Sequence, residues 1–436
     1  MRKLRVCALF CVMCMFAAIG LACGREDDYD PNKVNITVWV QNPQYEFFVA
    51  AAESFETANE DINIRIIAQP ENNLGTSLDA TLGTSSRPDI FSTYGGLVAG
   101  TLNKSGHLLN LDDVILPIED NLVGAAKSNK IDGNGHYVTA PLHGFASPVI
   151  FYNKTMFQAM KQSNSLTQVQ KDAIKEPATY AEFKALCDAI TAYGKTTVVG
   201  GFSTWHLPHF MQAIHSRSMT VQNYAKLLDR NAAPNPFLDP GYEAGFALLK
   251  KYYDDGILVE GIGGYTVDTA NTMFYNDQAV MRVGVSLDYA SLNENVTFDL
   301  GAFFLPKESD NLSAPRANGL YGDVIAVAKK TSYPAECKLF IQHVMSAEVQ
   351  ASLADYSLFP SRADANIAGK LPSTLQGIFD EMGNGCNDFY QSWSYPATDI
   401  AVLEAGTSVL GGSKTFAQAA KIVADFFDEA KAAANQ

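Results

Sequence analysis

VNITVWV, Val34 to Val40, alternates β-branched apolar residues with others and reads as a half-buried strand. FFVAAAESFETA, Phe47 to Ala58, then carries its apolar residues at helical spacing. INIRII, Ile62 to Ile67, is a second strand, Leu74 to Leu82 a second helix, and PDIF, Pro88 to Phe91, a third strand entering the turn Ser92 to Gly96. Strand, helix, strand, helix, strand predicts parallel strands joined by crossover helices, and so an α/β fold.

Outward from this unit, VTAPLHGFASPVIFY, Val138 to Tyr152, is too extended for one helix and too apolar for a surface loop. It is expected to cross between two lobes. A second α/β region follows, with helices predicted at Thr179 to Tyr193, Tyr224 to Arg230 and Pro240 to Asp254, and strands at Val280 to Val285 and Gly301 to Leu305. Asp323 to Ala328 is a strand, Pro334 to Met345 and Ala347 to Tyr356 are helices, and Thr415 to Ala433 is a closing amphipathic helix. The chain is therefore expected to visit its lobes discontinuously.

The 436 residues allow two or three compact units, and 47% hydrophobic with 18% charged residues is ordinary globular material. A formal net charge of −15 gives no general attraction to phosphate backbones, which argues against a nucleic-acid partner. The first segment, Met1 to Ala22, has a basic tip (Arg2, Lys3, Arg5), an apolar run and small residues, the layout of a secretory signal. Its removal takes the net charge to −18 and leaves Cys23 first. Gly20-Leu-Ala-Cys23 looks like a lipobox, in which Cys23 is acylated to anchor an exported protein on the outer face of the cytoplasmic membrane or in the periplasm. Gly-Leu-Ala also fits ordinary signal cleavage, which would release a soluble product. The polar stretch from Arg25 to Lys33 reads as a tether.

Chemistry-bearing motifs are sparse. HExxH, GxSxG, GxGxxG and the EF-hand loop are all missing from the sequence, and the near P-loop at Gly406 to Thr415 has its lysine, Lys414, displaced. His206, His209 and His215 raise a metal site, but Pro208 separates the first pair and a spacing of six puts His209 and His215 on different helix faces. The adjacent acids Asp112-Asp113, Glu119-Asp120 and Asp254-Asp255 read as loop and cap charges rather than as a glycosidase pair. Cys187, Cys337 and Cys386 have no zinc spacing and read as buried thiols, although one bridge is open to an exported chain. No cofactor, no metal and no catalytic residue is expected. Aromatics near strand ends, among them Tyr94, Trp205, Tyr265, Tyr289 and Tyr321, suggest sugar stacking, with neighbouring acids and amides matching hydroxyls. Core packing is the competing role for each ring, and Trp39 is expected to point inward.

In order along the chain, several motifs resemble the bacterial extracellular solute-binding proteins of family 1, the maltose-binding-protein-like receptors of ABC importers. They are ITVW at Ile36 to Trp39, RPDI at Arg87 to Ile90, LNLD at Leu109 to Asp112, and Asp132-Gly133 through Ala140-Pro141 to YNK at Tyr152 to Lys154. PATYAEF at Pro177 to Phe183, DQAVM at Asp277 to Met281 and the late course through Ala335 to Met345 and FPSR at Phe359 to Arg362 continue the series. The resemblance implies a two-lobe periplasmic-binding-protein fold of type II, with the ligand in an interlobe cleft. It implies lobe 1 at residues 34–141 and 304–345, lobe 2 at 148–300 and 346–436, and crossings near 142–147, 301–303 and 343–347. Ligand contacts are expected at Gln41, Asn42, Gln44, Tyr94 and His143, at Trp205, Asp288 and Tyr289, and at Tyr321, Asp323 and Trp393. The implied function is delivery of a sugar or oligosaccharide to an ABC permease by a monomer, without catalysis. A polyamine or peptide receptor, a sensor input and, less well supported, a secreted glycan hydrolase remain as alternatives.

Overall fold

The computed structural model describes residues 29–41, 44–69, 74–95, 97–123, 135–143, 145–227, 229, 232–307, 317–321, 323–383, 386–389 and 398–434. The signal, the tether start and Cys23 lie outside them. Three strands of the opening unit form as expected: β1 (Val34–Gln41), β2 (Ile62–Gln69) and β3 (Ile90–Tyr94), with β1 parallel to both neighbours. β4 (Ala140–Pro141), β5 (Phe145–Ala146) and β6 (Pro148–Asn153) divide the long apolar run among three sheets. β7 (Thr196–Val199), β8 (Ala279–Val285), β9 (Leu300–Phe303), β10 (Ala317–Tyr321), β11 (Asp323–Val327) and β12 (Cys386–Phe389) complete the set.

The first sheet has the order β2-β1-β3-β11-β4, with β11 antiparallel to both β3 and β4. Its return strand thus comes from almost two hundred residues further along the sequence than its neighbour β4, and the chain does revisit this layer. Alternation decides which side chain enters which core. Ile36, Val38 and Val40 of β1 join Ile325 and Val327 of β11 on one face, against Phe47, Phe48 and Phe55 of the Tyr45–Ala58 helix. Phe91, Val324 and Ala326 line the other face, and Trp39 packs there, inward as expected.

The second sheet has the order β7-β8-β6-β9, with β6 antiparallel to both neighbours and β8 parallel to β7. Ile150 and Tyr152 of β6 enter a large core shared with the helices Tyr180–Ala192, His206–Ser218, Pro240–Asp254, Thr398–Leu410 and Phe416–Ala434. Val149 and Phe151 enter a separate core on the opposite face. The third sheet is small: β10 lies between β12 and β5, in the segment that links the other two.

Local capping explains several boundaries. The Thr179 hydroxyl accepts from Glu182 N, and Asp239 Oδ1 accepts from Gly241 N at 2.7 Å ahead of Pro240. The helix expected at Tyr224 to Arg230 instead runs Val221–Lys226, because the Thr220 hydroxyl caps it by accepting from Asn223 N. Residues 301–303, expected as a crossing, lie in β9 paired to β6, and Leu305 remains in the large core. Lys307 still bonds to Tyr180 N through its carbonyl, so the chain stays with the second sheet at least that far. The segment after 346 is shared rather than confined to one layer: Leu353 and Leu358 pack in the first core while Ala351, Ala354 and Phe359 pack in the opposite-face core of the second sheet.

Candidate functional site

Parallel neighbours β1 and β3 end together, and the antiparallel β11 starts at that same edge, with Asp323 opposite Tyr94 in register. Gln41 therefore ends its strand beside Ser92, whose hydroxyl accepts from Gln41 N at 3.2 Å. Gln44, at the start of the following helix, donates from Nε2 to Asp323 Oδ2 at 2.5 Å. His143 enters from the crossing segment and brings Nε2 to 3.5 Å from the same carboxylate oxygen. The crossing is held there by Leu142 N donating to the Asp323 carbonyl at 3.0 Å. Five residues expected from the sequence, Gln41, Gln44, Tyr94, His143 and Asp323, thus come from four separate segments to one edge.

This cluster is buried but not internally satisfied. Gln41, Gln44 and His143 are at most 3% exposed, yet Gln41 Nε2, Gln44 Oε1 and His143 Nδ1 have no hydrogen-bond partner among the described residues. Such groups destabilise a fold by about 1–3 kcal/mol each, so three at one sheet edge leave hydrogen-bonding capacity open there. An amide donor, an amide acceptor and an imidazole nitrogen can together match the donors and acceptors of a polyol.

The second group lies beyond the carboxyl ends of β7 and β8. Trp205 precedes the His206–Ser218 helix and is 41% exposed, in contrast to the almost wholly buried helix that follows. Its ring stands edge-on to His206 and His209 at centroid distances of 4.1 and 5.2 Å, which fixes its orientation and leaves aromatic surface open. Asp288 is occupied: it accepts from Arg282 Nη1 at 2.8 Å, while Arg282 Nε donates to Asn271 at 2.7 Å. It holds its turn and neutralises a buried cation rather than offering a free carboxylate. Tyr289, next along the chain, is buried in the opposite-face core, where burial pushes its phenol up.

The crossing connects the two groups. Ser147 N donates to Ser286 Oγ at 3.1 Å and Ser286 N returns a bond to the Ser147 carbonyl at 2.9 Å. The next residue, Leu287, packs against the core of the first sheet. Both groups thus flank the chain segment that passes between the sheets. Tyr321 ends β10, where it is in register with Phe145 of that segment. Asn42 and Trp393 lie outside the described residues.

The remaining candidates have structural employment. His215 stacks on Tyr242 at 4.0 Å and 9° and bonds to its carbonyl through Nε2; burial pushes the imidazole down to about 3. Burial also lowers His206 and His209, whose Nδ1 atoms are tied to Gly201 N and the Trp205 carbonyl. Among the described residues no three histidine, cysteine or acidic side chains are grouped to hold a metal ion. Asp112 accepts from Tyr137 N, Asp113 pairs with Lys338, Glu119 accepts from the Tyr137 hydroxyl, and Asp255 accepts from that of Tyr180. Cys187 and Cys337 are buried free thiols, and burial pushes Cys337 up to about 12. No described helix is long and apolar enough to cross a membrane.

Arg282 and Gln212 were missed from sequence. A lone arginine inside Ala279-Val-Met-Arg-Val-Gly-Val285 was a readable signal of a buried ion pair. Gln212 gave none, because the polar stripe that it shares with His209 and Ser216 is buried, and spacing alone reads such a stripe as a solvated face.

The family described as "Bacterial extracellular solute-binding protein" matches residues 50–373. An uncharacterised ABC-transporter extracellular-binding protein of Pyrococcus horikoshii is 27% identical over 183 residues, 40% of either chain, so the match spans well under half of that relative. Among solved structures, a chitin oligosaccharide binding protein matches at TM-score 0.73 and 19% identity, covering 92% of this chain and all of that one. The GacH receptor of Streptomyces glaucescens, described unliganded and with acarbose, matches at TM-score 0.73 and 17% identity over 91% of this chain and 98% of that one. RafE in complex with raffinose matches at TM-score 0.70 and 19% identity over 92% of this chain and all of that one. At these identities the likeness is one of fold, and it is the two-lobe solute-binding fold.

Proposed function

Because the chain belongs to the bacterial extracellular solute-binding proteins, we infer that it is the receptor of an ABC importer, binding a saccharide between its lobes and handing it to a membrane permease without catalysis. The observation that carries this reading is the edge cluster of Gln41, Gln44, His143 and Asp323, with three buried polar atoms unpartnered beside the interlobe crossing. A ligand that bridges this cluster and the Trp205 group gains contacts only when the lobes close, and so shifts the population toward the closed form. Support from proteins of the same fold is consistent: one is named a chitin oligosaccharide binding protein, and two are described in complex with acarbose and with raffinose.

A polyamine receptor needs several free carboxylates between aromatic walls. Here Asp288 is already neutralised by Arg282, which disfavours that reading. We assign lobe 1 to the first sheet with its helices and lobe 2 to the second sheet with the C-terminal helices, with 142–147 as the principal hinge. The signal at 1–22, lipidation of Cys23 and the tether to Lys33 complete the reading of an exported, membrane-anchored monomer. Purified residues 24–436 are expected to show a saturable fluorescence change and a raised Tm with a saccharide recovered unchanged. Response only to polyamines or peptides would keep the fold and overturn the ligand class; glycan turnover would overturn the absence of catalysis. Detergent-phase partitioning of the full chain, lost on Cys23→Ala, checks the anchor.

A further inference from the structure

Along the His206–Ser218 helix, Leu207, Phe210, Met211 and Ile214 point into the large core, and Arg217 reaches the Leu305 carbonyl of the second sheet at 2.8 Å. Trp205, His209, Gln212 and Ser216 recur at steps of four, three and four, and so lie on the face opposite that apolar stripe. Trp205 stands open at its head. Ser216 is internally satisfied, donating to the Ala213 carbonyl at 2.8 Å and accepting from Arg217 Nη1 at 2.6 Å. Gln212 is not: it is 1% exposed, and among the described residues neither its amide nitrogen nor its amide oxygen has a partner. The backbone of β10, which pairs with crossing strand β5, also runs close to this helix.

A whole primary amide buried without one bond is costly, and here it sits two turns along a face whose first residue is the exposed ring. Seven residues at 1.5 Å rise place Gln212 roughly 10 Å from Trp205 along the helix axis, farther than one pyranose ring stacked on Trp205 extends. We propose that Gln212 is a specificity-determining residue of a second subsite, its amide donating to and accepting from hydroxyls of a sugar unit beyond the one stacked on Trp205. The ligand is then an oligosaccharide of at least two units. This deepens the saccharide reading above and rests on it.

The test is calorimetric titration of the purified 24–436 chain with raffinose against galactose and with chitotriose against N-acetylglucosamine, for wild type and Gln212→Met. In wild type at least one trisaccharide binds more tightly than its own monosaccharide, and in Gln212→Met that advantage shrinks about tenfold. The unliganded Tm of Gln212→Met is unchanged or raised, because methionine replaces an amide that has no partner; a lowered Tm marks a structural glutamine and overturns the proposal. Equal binding of monosaccharide and trisaccharide, or an undiminished trisaccharide advantage in the variant, overturns the subsite and leaves the sugar receptor standing. Absence of any saccharide binding overturns both.

Discussion

The two polar groups beside the crossing are built in opposite ways. In the first, Asp323 is shared by Gln44 and His143 while three other polar atoms find no partner. In the second, Asp288 and Arg282 neutralise each other and Arg282 Nε donates to Asn271, so the charges are spent on the fold while the Trp205 ring stands exposed. An unsatisfied cluster costs stability and keeps hydrogen-bonding capacity for a partner, whereas a satisfied pair does the reverse. Arg282→Met should therefore break the second group as structure: removing one partner of a buried pair costs about 3–5 kcal/mol. Urea unfolding checks this, and an unchanged midpoint would show that the pair holds nothing.

Acid should sharpen the same contrast. His206, His209 and His215 all belong to the second region, and burial holds each imidazole below its ordinary value. A histidine with a depressed folded pKa stabilises fully above its unfolded value of 6.5 and loses that contribution as pH falls. For His215, lowered to about 3, the loss between pH 6.5 and pH 5 is about 2 kcal/mol. Hydrogen exchange at pH 5 is expected to rise first in the His206–Ser218 and Pro240–Asp254 helices. Exchange that rises first in the first sheet would reverse the assignment.

Asp323→Asn should act on the first group as recognition. Asparagine can still accept from Gln44, so Tm should move little, while loss of the charge-assisted bonds weakens the tightest saccharide about tenfold. A large Tm drop with unchanged affinity would make Asp323 a counterpart of Asp288 and erase the distinction.

What was legible in the sequence follows the same division. β1 to β3 could be read because β-branched alternation and crossover helices are local signals, and Tyr94 followed as an aromatic near a strand end, whereas Gln41 and Asp323 came only through the family resemblance. Gln44 and His143 came with them through the resemblance and the crossing. Trp205 was found as an aromatic near a strand end, but the helix after it was not, because Pro208 interrupts its start and twelve of its thirteen residues are buried. β9 was expected to end in a crossing because a short apolar run does not say which sheet it joins. For Tyr289 the sequence position beside Asp288 looks like a strand-end turn, and the burial of its ring at the start of the 289–295 helix is a tertiary fact that this position does not encode. Partnership across the fold, as between Arg282 and Asp288, is a tertiary fact that spacing alone does not encode.

The smallest expected effects separate the two aromatics that sequence placed together. Trp205→Ala removes an exposed ring that contributes to no core cluster, so stability should change by less than about 0.5 kcal/mol, while saccharide affinity falls about fivefold through lost stacking. Tyr289→Phe keeps the buried ring and deletes only a hydroxyl, so affinity should be unchanged. Titration of both variants with the same trisaccharide decides between them. Equal losses would return Tyr289 to the site, and a loss in Tyr289→Phe alone would move the aromatic platform from the head of the helix to the turn after β8.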